Sequence, residues 1–446
     1  MELNQLYGRR VIVAKCDIPA DLPSAVQVLP TMIVGKHQVR CLRCNAVTAS
    51  KYAWLPRGQY YCPQCINLGR VSTLDRFYHV AEPNQFQPTG PILTWQGHLS
   101  PLQRRASLEV SEGFAKHERR LLWAVTGAGK TEMLFAGLAE CLQRGERVAI
   151  ASPRVDVCLE LYPRLSQAFA NVPIALLHGR TKERYQYRQL TICTTHQLLR
   201  FYHAFDNLIV DEVDAFPYAM NPQLLFATHQ AVKPHGGTLF LTATPGTDLQ
   251  RQIRRGQLKV SYLPLRYHGH LLPVIHLHLA PTWRQKIHQK RLPTSLLAKL
   301  RIRLKSGQRF LLFVPHVTDL ALVAAAIHQE LRSTKYALVH AADEQRLAKV
   351  QGMRDGRYQF LITTTILERG VTFPGIDVFV IGADDQIFST SALVQIAGRA
   401  GRSPDRPDGW VGFWCAAYAS HVKAAVKQIR QLNRRGARLR KEMDHG

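Results

Sequence analysis

The sequence predicts an α/β protein of two tandem parallel-sheet lobes, preceded by a small zinc-ribbon domain that four cysteines hold together. Three observations support this fold class: paired cysteines near the start, apolar runs that alternate with helical patterns, and a second series of such runs after a basic connection. The 446 residues suffice for two or three domains, and 46% hydrophobic with 20% charged residues is a globular composition.

Changes in pattern along the chain divide it into four regions. We expect an N-terminal domain over 1–80, a linker over 81–94, a first lobe over 95–262 and a second lobe over 263–446. The linker prediction rests on a stretch rich in Pro and Gln, and the last lobe ends in a helical pattern that becomes strongly basic.

The N-terminal domain has short strand-like runs, tight turns and two Cys-x-x-Cys pairs. Seventeen residues separate the pairs, a spacing typical of a tetrathiolate zinc ribbon. Free buried cysteines or a redox pair are the alternatives. Basic and tyrosine residues lie between the pairs, so the ribbon is suited to stacking bases or to binding a partner, and the sequence leaves both open. The predicted zinc ligands are Cys41, Cys44, Cys62 and Cys65.

Both lobes are predicted from short, continuously apolar runs, which are typical of strands buried on both faces of a parallel sheet. The first lobe's predicted strands are 121–125, 147–152, 190–194, 207–210 and 238–242. The second lobe's predicted strands are 309–314, 336–339, 360–364, 378–381 and 410–413.

A glycine-containing turn between the first of these strands and a helix predicted from Lys130 indicates a phosphate site. Glycines let backbone N–H groups converge on phosphate oxygens, and a helix N-terminus adds favourable partial charge. Lys130 would contact the β- and γ-phosphates and the Thr131 hydroxyl would bind Mg²⁺. The full glycine spacing would place Gly at position 124, where this chain has Ala. A chance Gly-Lys-Thr match is the alternative.

An apolar strand that ends in acidic residues supports the phosphate-site interpretation. Asp211 is placed to hold Mg²⁺ and Glu212 to orient or deprotonate the attacking water. Exposed turn acids are the alternative reading, and the strand, glycine turn and helix that precede them in the chain argue against it.

Two arginines of the second lobe are candidates for stabilising charge on the transferred phosphoryl group. Arg399 and Arg402 are three positions apart, so we predict that they share one helix face, and Gly398 and Gly401 permit close approach. A solvated helix face is the alternative. If these arginines reach the phosphates, ATP binding draws the lobes together and hydrolysis releases them, which is a mechanism for stepping.

Charge is the unusual feature of the composition. Lys and Arg number 58 against 32 Asp and Glu, a net charge of +26, which predicts a polyanionic partner such as nucleic acid. Solubility or attraction to anionic lipid is the alternative. No apolar run approaches the ~18 residues of a membrane span, and the start lacks a secretory signal. We therefore expect a cytoplasmic protein, with a peripheral position at the inner face of the membrane left open.

Across residues 95–420 the chain resembles the superfamily-2 DEAD-box-like helicases and translocases. The matching segments are AVTGAGKT at 124–131, DEVD at 211–214, TAT at 242–244, TTTILERGVT at 363–372 and QIAGRAGR at 395–402, with SPR at 152–154 and TTHQLL at 194–199 resembling strand-contacting motifs. The resemblance implies two RecA-like lobes and the cofactors ATP and Mg²⁺.

The same resemblance implies roles for individual residues. It implies nucleotide contacts for Gln103, Thr126, Gly127, Ala128, Gly129, Lys130, Thr131, Glu132 and Gly370. It implies roles in hydrolysis for Lys130, Asp211, Glu212, Gln395, Arg399 and Arg402. It implies coupling to DNA for Arg154, Thr195, Thr242, Thr244 and Thr364.

A four-cysteine module ahead of a compact motor resembles the ComFA family, the cytosolic ATPases of DNA uptake in competent Gram-positive bacteria. The resemblance implies an ATP-dependent single-stranded-DNA translocase that drives uptake of transforming DNA. Its implied partners are single-stranded DNA, the membrane uptake channel and other competence proteins, with a homo-oligomer as an option. The alternatives are a helicase of replication restart or repair, an RNA remodeller, and a nucleic-acid-binding adaptor with a vestigial motor.

Overall fold

The computed structural model describes residues 2–18, 21–87, 90–179, 181, 185–331, 334–403 and 405–444. Parts of the expected domains lie outside these ranges, including residues 88 and 89 of the expected linker. The chain divides into two compact units, one of residues 1–123 with 130–262 and one of residues 124–129 with 263–446.

Short antiparallel strands build the N-terminal region. They are β1 (Val11–Ala14), β2 (Gln27–Pro30), β3 (Met32–Val34), β4 (Gln38–Cys41), β5 (Val47–Ala49), β6 (Trp54–Leu55), β7 (Gln59–Tyr60) and β8 (Asp75–His79). One sheet has the order β1-β8-β2, a second has the order β3-β4-β5, and β6 pairs with β7. Cys41 ends β4 and Cys44 lies in the turn before β5, while Cys62 and Cys65 follow β7, so each Cys-x-x-Cys pair comes directly after a hairpin strand or at its end.

The N-terminal region is joined to the first α/β layer by backbone hydrogen bonds. Arg9 forms a bridge with Phe201, and the Tyr202 amide donates to the Gly8 carbonyl over 2.9 Å. Gly8 has φ +62°, and a Cβ there would lie 2.7 Å from the Cβ of Ala204, so only glycine fits.

The first unit is built on a seven-stranded sheet with the order β11-β12-β10-β13-β14-β9-β15. Its strands are β9 (Arg119–Ala124), β10 (Val148–Ser152), β11 (Ile174–Leu177), β12 (Leu190–Thr194), β13 (Phe205–Val210), β14 (Val232–Thr242) and β15 (Lys259–Leu263). Its helices are α1 (Pro101–Ala115), α2 (Phe135–Gln143), α3 (Val155–Ala168), α4 (Pro222–Ala231) and α5 (Thr247–Arg254). The pairs from β11 across to β9 are parallel. The division between the units runs through β9 and β15.

The second unit is built on a six-stranded, all-parallel sheet with the order β16-β21-β20-β17-β19-β18. Its strands are β16 (Ile275–Leu279), β17 (Phe310–Phe313), β18 (Tyr336–Val339), β19 (Phe360–Thr363), β20 (Asp377–Ile381) and β21 (Val411–Cys415). Its helices are α6 (Trp283–His288), α7 (Thr294–Lys305), α8 (Val317–Glu330), α9 (Arg346–Arg354), α10 (Thr390–Ala397) and α11 (Ser420–Asp444).

The predicted fold class is confirmed: two parallel sheets follow a small four-cysteine module. Each predicted strand is present, with bounds that agree within two residues except for β14, which begins six residues earlier than predicted. The edge strands β11, β15 and β16 were not predicted. None of the described helices combines the length and apolar character that a bilayer crossing requires.

Candidate functional site

The turn after β9 has the backbone of a phosphate loop. Gly127 and Gly129 have φ values of +81° and +76°, in the left-handed region that glycine adopts without strain. The Gly127 carbonyl accepts from the Tyr267 amide over 2.9 Å, and the Val125 amide donates to the Leu263 carbonyl over 3.1 Å. These bonds attach the turn to the last residue of β15 and to the segment that follows it.

The residues after this turn do not begin an α-helix at once. Thr131 precedes a short 3₁₀ turn, and α2 begins only at Phe135, so the prediction that a helix begins at Lys130 is wrong by several residues. The tight 3₁₀ turn takes up the chain between the glycine turn and the helix. Thr131 is 9% exposed, while the Glu132 carboxylate forms an ion pair with Arg164 of α3. A nucleotide contact by the Glu132 side chain would therefore compete with that ion pair.

The acidic residues after β13 are held by the backbone around them. The Asp211 amide donates to the Ala151 carbonyl of β10, and the Asp211 carboxylate accepts from the Glu212 amide, both over 2.8 Å. Glu212 has φ +54°, an unfavourable conformation for a residue with a side chain. Such strained residues concentrate at functional sites, where the surrounding structure holds them in place.

A short hydrogen-bond network connects the acidic segment with the end of β14. The Thr242 hydroxyl donates to the Asp214 carboxylate over 2.6 Å, and the Thr244 hydroxyl donates to the other oxygen of the same carboxylate. The Thr244 amide donates to the Thr242 hydroxyl over 2.9 Å. Asp214 therefore fixes both threonines relative to Asp211 and Glu212.

Other predicted residues of the first unit lie in well-defined local structures. Gln103 is 2% exposed and forms a capping box at the start of α1, where its side-chain oxygen accepts from the Ser100 amide over 2.9 Å. Arg154 is the N-cap of α3 and is half-buried. Thr195 is completely buried, so its side chain does not reach the surface. The adenine contact of Gln103 and the DNA coupling of Arg154 and Thr195 stay predictions.

The two arginines of the second unit do not lie on a helix. Helix α10 ends at Ala397, so the prediction that Arg399 and Arg402 share one helix face is wrong. The physical reason is the glycine content of the segment: Gly401 has φ +75°, which no α-helix contains, and Arg402 follows with φ +64°. Gln395 stays inside α10 and is 7% exposed.

The turn after α10 (residues 398–402) is closely packed. The Arg399 Nε donates to the Glu368 carbonyl over 3.0 Å, and the Arg402 Nε donates to the Gly398 carbonyl over 2.8 Å. A Cβ on Gly398 would lie 1.8 Å from the Thr126 hydroxyl oxygen, so glycine is required where the turn meets Thr126. Both residues belong to the second compact unit.

Arg266 holds this turn in shape and was not predicted as a site residue. Arg266 is 5% exposed and donates to the carbonyls of Gly398, Ala400 and Pro407 over 3.0, 2.8 and 3.2 Å. Burial lowers the pKa of Arg266 to about 10. It lies in a basic connection without periodicity, so only the fold reveals its partners.

The segment after β19 also contains a buried arginine that sequence reasoning missed. Arg369 is 3% exposed and donates to the Ser391 hydroxyl of α10 over 3.1 Å and to the Glu368 carboxylate over 3.3 Å. Thr364 is 8% exposed and Gly370 has φ +69°. DNA coupling by Thr364 and nucleotide binding by Gly370 stay predictions.

The four predicted zinc ligands converge. All are buried, and their sulfur atoms lie within 4.8 Å of one another, with 3.8 Å between Cys41 and Cys65 and 3.6 Å between Cys44 and Cys62. A tetrahedral zinc with Zn–S bonds of about 2.3 Å needs sulfur atoms about 3.8 Å apart. The donor set therefore fits zinc.

A buried arginine adjoins the four sulfurs. The Arg43 Nε donates to the Cys65 sulfur over 3.3 Å, and its Nη2 donates to the Cys65 carbonyl over 3.0 Å. Hydrogen bonds from the neighbouring thiols and the charge of Arg43 lower the pKa of Cys65, which favours the thiolate that a zinc ligand must be.

Comparison with known proteins identifies the family. Residues 100–252 match the DEAD/DEAH box helicase family, and residues 293–404 match the helicase conserved C-terminal domain. The chain is 41% identical to competence protein ComFA of Streptococcus pneumoniae (strain ATCC BAA-255 / R6) over 434 residues, which is 97% of this chain and 99% of that protein. It is 40% identical to competence protein ComFA of Bacillus subtilis (strain 168) over 409 residues, 91% and 88% of the two chains.

This chain belongs to the ComFA family. The resemblance stated from the sequence is thereby confirmed, and the ComFA chain is a helicase-type enzyme that hydrolyses ATP with Mg²⁺. Among solved structures it is similar to Dbp5 of S. cerevisiae bound to RNA and ADP BeF3, with a TM-score of 0.55 and 13% identity over 75% of this chain and 91% of that one. That likeness confirms the two RecA-like lobes of the ComFA chain.

Proposed function

We propose that this ComFA family member is an ATP-dependent translocase on single-stranded DNA that drives the uptake of transforming DNA across the cytoplasmic membrane. The observation that carries the proposal is the pair of hydrogen bonds from Thr242 and Thr244 to Asp214. A change in the acidic segment during hydrolysis must alter these bonds, and through them the threonines that we expect to respond to DNA.

We assign the nucleotide chemistry to the residues that the sequence predicted. Lys130 and the turn Thr126–Gly129 bind the phosphates, and Gln103, Glu132 and Gly370 complete the nucleotide contacts. Mg²⁺, held by Thr131 and Asp211, supplies charge neutralisation on the phosphates when bound.

The remaining assignments concern water activation, transition-state charge and DNA. Glu212 orients the attacking water, and Gln395, Arg399 and Arg402 stabilise charge on the transferred phosphoryl group. We assign the coupling of the nucleotide state to the DNA backbone to the threonines and the arginine that follow. They are Arg154, Thr195, Thr242, Thr244 and Thr364.

The proposed partners follow from the family and from the charge. A net charge of +26 favours a nucleic-acid backbone bound without sequence preference. The ComFA relatives are competence proteins by name, so we propose a membrane DNA-uptake channel and other competence proteins as partners. We also propose that the chain works at the inner face of the cell membrane, as a homo-oligomer.

The test is ATP turnover by the purified chain with single-stranded DNA, duplex DNA or RNA. We expect the largest stimulation by single-stranded DNA. Lys130→Ala and Arg402→Ala should each lower stimulated turnover by about 10³-fold or more, because each removes a charge that stabilises the transferring phosphoryl group, while DNA binding persists. Lys305→Ala, on the exposed end of α7, is the matched control and should leave turnover unchanged.

Each other outcome points to a different function. Normal turnover by Lys130→Ala would remove the motor proposal. Strand separation of a duplex by the purified chain would favour a helicase of restart or repair. Greater stimulation by RNA would favour an RNA remodeller, and the absence of ATP turnover both with and without nucleic acid would favour an adaptor with a vestigial motor.

A further inference from the structure

The zinc-binding part of the chain contains an unusually long stretch without acidic residues. Residues 22–74 contain neither Asp nor Glu, whereas the chain average of 32 in 446 would place about four there. All but Arg43 of the basic residues in the stretch are exposed. They are Lys36, Arg40, Arg43, Lys51, Arg57 and Arg70. The surface of this module is therefore positively charged and has no acid of its own to neutralise it.

One face of the sheet β3-β4-β5 carries exposed side chains. Ile33 lies directly opposite Arg40, and Arg40 lies directly opposite Val47, so these three side chains form a row across the sheet. Ile33 is 52% exposed and Val47 is 50% exposed. Along β4, exposed Arg40 alternates with buried Val39 and Cys41, so the other face of the sheet is turned toward the zinc ligands.

Two large aromatic side chains follow this row along the chain. Tyr52 is 66% exposed and Trp54 is 58% exposed, on either side of a completely buried Ala53. The backbone is fixed, because the Tyr61 amide donates to the Ala53 carbonyl over 2.8 Å and Trp54 pairs with Tyr60 in the β6–β7 sheet. The Lys51 ammonium lies 4.9 Å from the centre of the Tyr52 ring. Solvated aromatic rings on a hydrogen-bonded backbone, one of them beside a cation, are suited to base stacking.

We propose that the module face, defined as Ile33, Arg40, Val47, Lys51, Tyr52 and Trp54, binds single-stranded DNA. Tyr52 and Trp54 stack on bases, Arg40 and Lys51 contact the phosphate backbone, and Ile33 and Val47 pack against sugars and base edges. This gives the chain a strand contact outside the helicase motifs. The inference rests on the proposed function only in taking single-stranded DNA as the substrate.

Charge favours DNA over a protein as the occupant of the module face. A protein partner would have to be acidic to match the exposed cations and would also have to cover two aromatic rings. Single-stranded DNA supplies a phosphate charge and a base face at every nucleotide. Since each base has a π-face, binding at the module face should show little sequence preference.

The test compares the wild-type chain with Tyr52→Ala/Trp54→Ala. Both are used as whole chains, with a fluorescent oligothymidine of about 30 nucleotides, which is long enough to cover a typical single-strand binding site. Without nucleotide, we expect the Kd from fluorescence anisotropy to rise at least about tenfold, because two stacking contacts are lost. Arg40→Ala/Lys51→Ala should weaken binding and reduce the slope of log K against log salt by about 0.7 per phosphate contact. ATP turnover at saturating DNA should stay at the wild-type value.

Controls separate stacking from folding. Tyr52→Phe/Trp54→Phe should retain wild-type affinity, because the replacement rings still stack. Tyr418→Ala removes an exposed tyrosine of the second unit and should leave the Kd unchanged. Zinc content, measured by atomic absorption, should be equal in all variants. A loss of affinity then cannot be attributed to unfolding of the zinc module.

Two results would overturn the proposal: a double alanine variant with full zinc content and an unchanged Kd and salt slope, or a wild-type chain that does not bind the oligonucleotide. The module face would then be free for a protein partner. The outcome is separable from that of the proposed function. A chain that binds DNA through the module face but whose turnover DNA does not stimulate contradicts the translocase proposal alone.

Discussion

At the scale of single residues, an ion pair without solvent contact lies in the first unit. The side chains of Arg147 and Glu82 are both completely buried, with 2.5 Å between Nη1 and Oε2. The hydroxyls of Tyr185 and Tyr187 contact the arginine and the glutamate respectively. Glu82 comes from the segment expected to be a linker, so this part of the chain is anchored in the core by charge.

Removing one member of this pair should be strongly destabilising. Glu82→Gln leaves the Arg147 guanidinium buried without a counter-charge, and we expect the free energy of unfolding to fall by about 3–5 kcal/mol. Urea unfolding, monitored by circular dichroism, measures this free energy. Glu82→Gln/Arg147→Met should recover part of the loss, since no charge is then buried. Glu112→Gln, which breaks an exposed i,i+4 pair on α1, is the control and should change little. An equal loss of unfolding free energy in Glu82→Gln and Glu112→Gln would contradict this account.

At the scale of elements, the turn after α10 depends on a residue far away in sequence. Arg266 donates to three carbonyl oxygens of the segment from Gly398 to Pro407. A lysine has no fork of donors and does not satisfy all three with the same geometry. Arg266 is therefore a positioning residue for Arg399 and Arg402.

Arg266→Lys should lower kcat for ATP hydrolysis by about tenfold and change KM for ATP little. A tenfold lower rate corresponds to a barrier that is higher by about 1.4 kcal/mol. The reason is that the proposed role of Arg399 and Arg402 lies in the transition state, so misplacing them costs rate rather than ground-state binding. Steady-state kinetics with saturating DNA separate the two parameters. Arg254→Lys, at the exposed end of α5, should change neither. A rise in KM with unchanged kcat would show that Arg266 acts on nucleotide binding instead.

The elements also show what the sequence could predict. The central strand β12 was predicted with its observed bounds, because a strand that is buried on both faces is recognisable as a short run of residues suited to the core. The edge strands β15 and β16 mix polar with apolar residues, as in the run Ile-His-Leu-His-Leu of β16, and were read as a connection.

The candidate site also has parts that could be predicted from the sequence and parts that could not. The positions of Asp211 and Glu212 were predictable because they directly follow β13, and that of Lys130 because it follows the glycine turn after β9. The shape of the turn around Arg402 was not, since it depends on Gly401 in a left-handed conformation and on the distant Arg266. Periodicity carries information about faces of regular elements and none about such long-range contacts to backbone carbonyls.

At the scale of the whole molecule, the zinc module and the first α/β layer share one hydrophobic core. A single buried cluster includes the zinc ligands and Phe77 together with Leu121, Ala149 and Phe201 of the α/β layer. The Arg10 guanidinium adds a hydrogen bond to the Leu42 carbonyl over 2.8 Å, beside the first cysteine pair. The stability of the first unit should therefore depend on the metal.

Zinc removal should loosen the first unit and leave the second unit intact. Structural zinc contributes about 10–16 kcal/mol of binding energy in small zinc domains, as much as the whole stability of a typical domain, about 5–15 kcal/mol. After chelation, hydrogen exchange followed by mass spectrometry should show lost protection in β8, β10 and β13, with unchanged protection in β17, β19 and β20. Cys44→Ser should reproduce this pattern, whereas Cys16→Ser, at an exposed cysteine outside the cluster, should not. Unchanged exchange in β10 after verified zinc loss would mean that the shared core holds without the metal, and the module would then be an independent attachment.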